Sequence, residues 1–479
     1  MALDARLVEQ FAAAADVIRE PEQLRTYECD GLTGRRVVPA LVALPAMTAE
    51  VQAVVRLCNA HGIPFVARGA GTGLSGGALP VAEGIVISLA RMNRILSFDV
   101  AAGQIVVEPG VTNLDVTKAV AADGFYYAPD PSSQQVCTIG GNVAENSGGA
   151  HCLKYGFTVN HVLAAEVVLP DGELVELSVW DDGPDLLGAF VGSEGTLGIA
   201  TRLTLRVLRR PAAVRTVLAG FAHTDGAGAA VSGTIAAGIL PAAIEMMDAI
   251  TVEAAEAAVQ ANYPQGCGAI LIIELDGASE QVEADLAQVE GLCRAHGAVE
   301  TRIAADAADR ANVWRGRKAA FAAVGRISPD YYVQDGVVPR TKLPEVLRRI
   351  DALSAEHGLR VGNVFHAGDG NLHPLVLYDG KVAGEAERAE LVAHLILEAC
   401  VDAGGSITGE HGVGADKACA MPLQFGENDL AAMQRLRRAF DPAGLANPGK
   451  VFPTPRLCGE VPGPYRIHPL ELAGVADRF

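Results

Sequence analysis

The sequence predicts an α+β chain made of two successive α+β domains and a C-terminal segment that returns to the first, with bounds at 1–210, 211–415 and 416–479. Three observations carry this. Helix-period and strand-like stretches alternate along the chain, with no sustained run of either kind. The texture changes at the RVLRRP junction near Pro211, from glycine-rich loops before it to alanine-rich helices after it. A last helix near Asp429–Phe440 gives way to the turn-rich stretch DPAGLANPGK and a tail with several prolines.

In chain order, LVALP from Leu41, a helical stretch opened by Thr48 (TAEVQAVVRLCNAHG) and IPFVA form a β-α-β unit. Short strands follow at GIVISL and QIVVEPG, then a helical stretch that ends near Gly124, and glycine-rich loops dominate until about Gly198. In the second half, AILIIELDG is a buried strand, and RVGNVFH and LHPLVL are strands joined by a Gly-Asp-Gly-Asn turn. The uncharged run Gly226–Ile244 is too poor in large apolar residues, and too interrupted by Pro241, to span a membrane; it reads as a buried helix leading into a strand.

Composition narrows the function. With 479 residues the chain can build two or three cores, and a formal net charge of -19 argues against a nucleic-acid partner. The nine cysteines are scattered and form no C-x-x-C, which argues against a disulfide framework, a thiolate zinc site or a resident iron–sulfur cluster. The N-terminal stretch lacks a basic segment followed by an apolar one, so the expectation is a cytoplasmic enzyme without a membrane span.

The glycines carry the first functional signal. RGAGTGLSGG at 68–77 contains G-x-G-x-x-G after a strand, but Pro80 and Gly84 stand where a dinucleotide-binding helix would begin, and no P-loop lysine exists. A side-chain-poor loop can still bring successive backbone N–H groups against a phosphate pair. Together with PDPSS at 129–133, TIGGNVAENSGG at 138–149 and GSEGTLGI at 192–199, it forms a set suited to a large phosphorylated cofactor.

The second signal is the hairpin HAGDGNLH, which brings His366 and His373 to one mouth. The DGN core lacks calcium-loop spacing. Taken singly, each histidine also fits an ordinary hydrogen-bonded side chain. With Glu410 of GEHG, the pair offers two imidazoles and one carboxylate, a donor set for zinc, manganese or iron that leaves open positions.

In their order along the chain, RGAGTGLSGG, PDPSS, TIGGNVAENSGG, GSEGTLGI, HAGDGNLH and GEHG resemble the FAD-linked 2-hydroxyacid dehydrogenases of the vanillyl-alcohol oxidase superfamily, over nearly the whole chain. The resemblance implies a two-part FAD-binding domain and an α+β substrate domain with an antiparallel sheet. It places the FAD pyrophosphate on Arg68, Gly69, Gly71, Thr72, Gly73 and Ser75. Further FAD contacts are implied at Pro131, Thr138, Gly141, Ser147, Gly148, Glu194, Gly195, Ile199 and Asn447. It points to His366, His373 and Glu410 as ligands of a divalent metal, zinc above all, and to His411 as catalytic base. In WRGRK it gives Arg317 the substrate carboxylate, a task that a guanidinium fork does better than an ammonium.

The implied reaction is oxidation of a short D-2-hydroxy acid to the 2-oxo acid, by metal-assisted removal of the hydroxyl proton and hydride transfer to flavin N5. Members that act on dicarboxylates carry a Thr one turn beyond the arginine and a Lys two positions before the next strand's Asp. Here Phe321 and Val333 stand there, which favours glycolate or D-lactate. The segment RISPDYYVQDGVVPR is similar to glycolate oxidase catalytic subunits, which implies an electron acceptor: an iron–sulfur subunit, an electron-transfer flavoprotein or a quinone chain. It also implies a homodimer or hetero-oligomer, attached to the inner membrane only through partner subunits. The alternatives are a D-2-hydroxyglutarate dehydrogenase, a metal-independent flavin oxidase of another substrate, and a non-enzymatic metal-binding protein.

Overall fold

The apolar run AILIIELDG forms the strand Ala269–Gly277, and the residues from Ala269 to Leu275 are all buried. The run is continuous because helices cover both faces of its sheet. Ala269, Leu271, Ile273 and Leu275 pack against the helices Thr224–Ala236, Ser279–Ala295, Leu343–His357 and Glu385–Asp402. Ile270 and Ile272 face the helices Ala249–Val259 and Ala307–Val324. All seven strands of this sheet pair antiparallel, in the spatial order 298–303, 213–221, 269–277, 243–248, 361–366, 374–378, 330–333. These details come from a computed structural model that describes residues 3–453.

The N-terminal half holds two further main sheets. Strands Leu41–Leu44, Ile85–Ser88 and Phe65–Arg68 lie parallel, with Asp16–Ile18 antiparallel at one edge. The strands of the expected β-α-β unit are therefore not neighbours, because Ile85–Ser88 lies between them. The helix Thr48–His61 begins where expected, but Thr48 donates to Glu166, and the turn before it is closed by the Ala46 N–H on Glu50. The other sheet is antiparallel, in the order 95–99, 104–107, 199–206, 162–168, 174–178.

Two of its strands, Val162–Val168 and Leu174–Ser178, pair as a hairpin inside the stretch expected to be mostly loop. Its turn, Pro170-Asp171-Gly172, is set by the Asp171 carboxylate, which accepts from the Glu173 N–H at 2.9 Å. The edge strand Ile95–Asp99 had no apolar alternation to betray it, since it buries almost nothing.

After the helix Glu427–Phe440 the chain runs against the parallel sheet of the first half. The Phe65 N–H donates to Leu445 and the Asn447 N–H to Phe65, which ties the turn-rich stretch onto the parallel sheet beside the glycine loop. The rest of the proline-containing tail, from residue 454, lies outside the described residues. No helix among the described residues is long and apolar enough to cross a membrane.

Candidate active site

The strand Phe65–Arg68 ends in the first glycine loop, which runs without helix past Gly77. It passes so close to Thr138 that a Cβ on Gly69 would fall 2.2 Å from the threonine hydroxyl, so only glycine fits. Thr138 itself caps the short helix Ile139–Glu145. These loops, with 131–133, Ser147 and 193–199, line a cavity of about 310 Å³.

Of the fifteen expected cofactor contacts, twelve line this cavity: Arg68, Gly69, Gly71, Thr72, Gly73, Pro131, Thr138, Gly141, Ser147, Glu194, Gly195 and Ile199. A Cβ on Gly73 would meet no protein atom within 4 Å, although the residue stands in the wall. Such a bare rim suits a cofactor laid against the backbone.

The other three support the wall from behind. Ser75 donates to the His411 carbonyl at 2.7 Å, Asn447 donates to the carbonyls of Gly77 and Glu194 at 2.9 and 2.6 Å, and Gly148 backs onto the Glu410 carboxylate. Arg68, which lines the cavity, also donates to the carbonyls of Tyr27 and Ala78 and so braces the loop. The Glu194 carboxylate likewise accepts from the Val413 and Gly414 N–H groups at 2.7 and 2.6 Å.

At the other end of the cavity stand Phe321, Tyr331, His373, Glu410 and His411. The hairpin pairs Val361–His366 with Pro374–Tyr378, and its turn passes so close to Val338 that a side chain at Gly370 would strike the Val338 carbonyl. His366 Nε2 and His373 Nε2 lie 3.1 and 3.3 Å from the same oxygen of Glu410, and the three donor atoms fall within 4.8 Å of one another. His373 Nε2 is buried and makes no well-aligned hydrogen bond, although Glu410 and Asp335 oxygens lie 3.3 and 3.6 Å away, a state that a metal ion would resolve. His366 sits one layer deeper, with Nδ1 2.7 Å from Glu245.

Burial alone would push the His366 imidazole down, but Glu245 and Glu410 hold it well above its ordinary value. Glu410 shows the converse: burial opposes its charge, and His366 and His373 hold its carboxyl well below the usual range. Burial pushes His411 down to about 4, with His373 and Lys417 adding to the effect against Asp335 and Glu410. It is therefore uncharged at neutral pH and able to accept a proton.

Arg317, like His366, does not line the cavity. It is 3% exposed, and its guanidinium meets Glu245 Oε2 through Nε at 2.8 Å and Nη2 at 2.7 Å. The reason is electrostatic: Glu245 is fully buried on the neighbouring strand and requires a counter-charge.

Asp335 was missed. Its carboxylate accepts from the N–H groups of Gly409, Glu410 and His411, from the Thr408 hydroxyl and from Lys417, so it moulds the whole GEHG loop. With its oxygens thus committed, it is a poor rival to Glu410 as a metal ligand, although it too lies near His373 and His411. The only sequence signal was an aspartate directly before Gly336 at the end of a strand-like run.

A glycine-walled cavity between an antiparallel cap sheet and a two-sheet domain, with acid–base side chains in its wall, is the setting of an FAD-linked oxidoreductase. Residues 39–178 match the FAD binding domain family, and residues 210–451 match the family described as FAD linked oxidases, C-terminal domain. The chain belongs to the FAD-linked oxidase family. The glycolate oxidase subunit GlcD of Escherichia coli K12 is 48% identical over 96% of this chain and 93% of its own. D-lactate dehydrogenase of Anaerostipes hadrus is 35% identical over 86% of this chain and 89% of its own. Among solved structures, 4-ethylphenol oxidase from Gulosibacter chungangensis superposes with a TM-score of 0.79 at 21% identity, covering 95% of this chain and 98% of that one, a likeness of fold.

Proposed function

We propose that this chain oxidises a short 2-hydroxy acid, glycolate or D-lactate, to the 2-oxo acid, with a divalent cation held by His366, His373 and Glu410. The observation that supports it best is that His373, Glu410 and the uncharged His411 stand in the wall of the same cavity as the glycine loops, so substrate and cofactor share one enclosed space. When bound, FAD supplies the acceptor for the hydride that leaves the α-carbon, and a zinc, manganese or iron ion supplies the Lewis acid that acidifies the hydroxyl.

The protein's own groups do the rest. His411 receives the hydroxyl proton, held in place through its N–H on Asp335 at 2.8 Å and its carbonyl on Ser75. Phe321 and Tyr331 wall the substrate end, and among the described residues that line the cavity Arg68 is the only arginine or lysine, its guanidinium bonded to the carbonyls of Tyr27 and Ala78. A second carboxylate on the substrate would find no counter-charge there, which favours a monocarboxylate. The electrons pass on to an acceptor subunit or quinone chain, a reading that the word "subunit" in the name of the Escherichia coli relative supports.

The test is dye reduction by the flavin-loaded protein with a panel of short D- and L-2-hydroxy acids, before and after verified metal removal. Oxidation of glycolate or D-lactate that disappears on chelation and returns with the ion is the expected result. Activity indifferent to metal removal overturns the cation's role, and a protein inert to every 2-hydroxy acid overturns the substrate class.

A further inference from the structure

The strand Ala243–Asp248, AIEMMD, is buried at every position, and Glu245 sits in its middle with no exposed surface. A carboxylate survives there only if both oxygens are matched, and they are. Oε1 lies 2.7 Å from Nδ1 of His366, its direct partner in the cross-strand register. Oε2 accepts from Arg317 Nε at 2.8 Å. The result is one continuous buried line, Arg317–Glu245–His366–Glu410, that runs from the cap helix Ala307–Val324 to the cavity wall.

We infer that Glu245 is a positioning residue for the cation site, with Arg317 as the counter-ion that holds its second oxygen. A neutral imidazole has one donor and one acceptor nitrogen, and only the acceptor can ligate a metal. Glu245 accepts from His366 Nδ1, which leaves Nε2 as the nitrogen that faces Glu410 and the cation site. A carboxylate on the outer nitrogen also raises the basicity of the inner one, and outer partners of this kind govern metal affinity about 10- to 100-fold. Arg317 holds the second oxygen of the carboxylate, Oε2, which fixes the first on the histidine. His373 has no such partner, so His366 is the ligand whose ring orientation the fold fixes in advance.

The inference rests on the cation reading above, and the test separates the two. Flavin-loaded, metal-stripped protein is titrated with zinc by calorimetry as wild type, His366→Ala, Glu245→Gln, and Glu245→Gln with Arg317→Met. The single Gln variant strands a buried guanidinium and is expected to lose stability; the double variant removes both charges and restores folding, seen as a recovered melting temperature and unchanged flavin absorbance. A merely structural role would recover with it. The expected result is that the zinc dissociation constant stays about 10- to 100-fold above wild type in the double variant as in the single one. Wild-type zinc affinity in the double variant overturns the inference alone. Wild-type protein that binds no more zinc than His366→Ala overturns the cation reading, and the inference with it.

Discussion

The imidazole of His411 lies flat on that of His373, with ring centroids 4.8 Å apart and planes 10° from parallel. The stack sets the proposed proton acceptor against a candidate metal ligand, and the two halves of the molecule hold it jointly. Asp335, just beyond a cap strand, takes the His411 N–H, and Ser75, from the glycine loop, donates to its carbonyl. Any movement between cap and cofactor domain would displace the base.

From this follows the first expectation. His411→Ala should lower the rate of flavin reduction by substrate about 100- to 10,000-fold, the usual worth of a positioned base. Flavin content should not change, because the bond that ties this loop to the glycine loop runs from Ser75 to the His411 backbone carbonyl, which the substitution keeps. Anaerobic stopped-flow absorbance reads both, and reduction at near-normal rate removes His411 from the base role.

Asp335→Asn should be costly in a different way. The fully buried carboxylate faces Lys417, itself 3% exposed, at 3.2 Å, and loss of one partner leaves a buried charge unmatched, at about 3–5 kcal/mol. Denaturant unfolding measures the loss. Adding Lys417→Met should return much of the stability but not the activity, because an amide cannot accept from every N–H that moulds the GEHG loop. Full recovery of activity would show that the loop keeps its shape without the carboxylate.

The sites most legible in the sequence are those where one residue type has one physical use. Glycines at close approach, such as Gly69 and Gly370, and two histidines flanking a turn announce themselves locally. Glu245 and Asp335 did not, since each works through partners 72 to 121 and 73 to 82 residues away in the chain. The hairpin Val162–Val168/Leu174–Ser178 was hidden by neighbouring glycines, and Ile95–Asp99 by its exposure, which erases the alternation that marks a half-buried strand. Arg317 was found for its chemistry, but nothing in WRGRK tells that it also faces a buried anion, Glu245.

Phe321 tests substrate choice. Its ring lies 6.0 Å from that of His373 and closes the substrate end of the cavity with an apolar wall. Phe321→Lys places a cation where a longer substrate's distal carboxylate would arrive. The ratio of kcat/KM for 2-hydroxyglutarate to that for glycolate should rise at least about tenfold, a difference worth about 1.4 kcal/mol. An unchanged ratio, with glycolate activity intact, would show that the distal end of the substrate points elsewhere.

The latch between the two halves should titrate. His151, from the cofactor domain, lies 3.0 Å from Asp130 and 3.2 Å from Glu274 of the cap sheet, and Arg310 and Trp314 also donate to Glu274. Burial opposes charge on His151, but the two carboxylates raise it from 6.5 to about 10. Burial likewise opposes charge on Glu274, which His151 and Arg310 lower from 4.5 to about 2. A raised histidine contributes stability that is fully present below 6.5 and lost as pH rises toward 10; a lowered glutamate contributes stability present above 4.5 and lost as pH falls toward 2. The latch is therefore strongest between about pH 4.5 and 6.5. Unfolding free energy measured across the alkaline limb should fall in wild type and lose most of that slope in His151→Gln. The same slope in both proteins would mean that another group, and not this contact, governs alkaline stability.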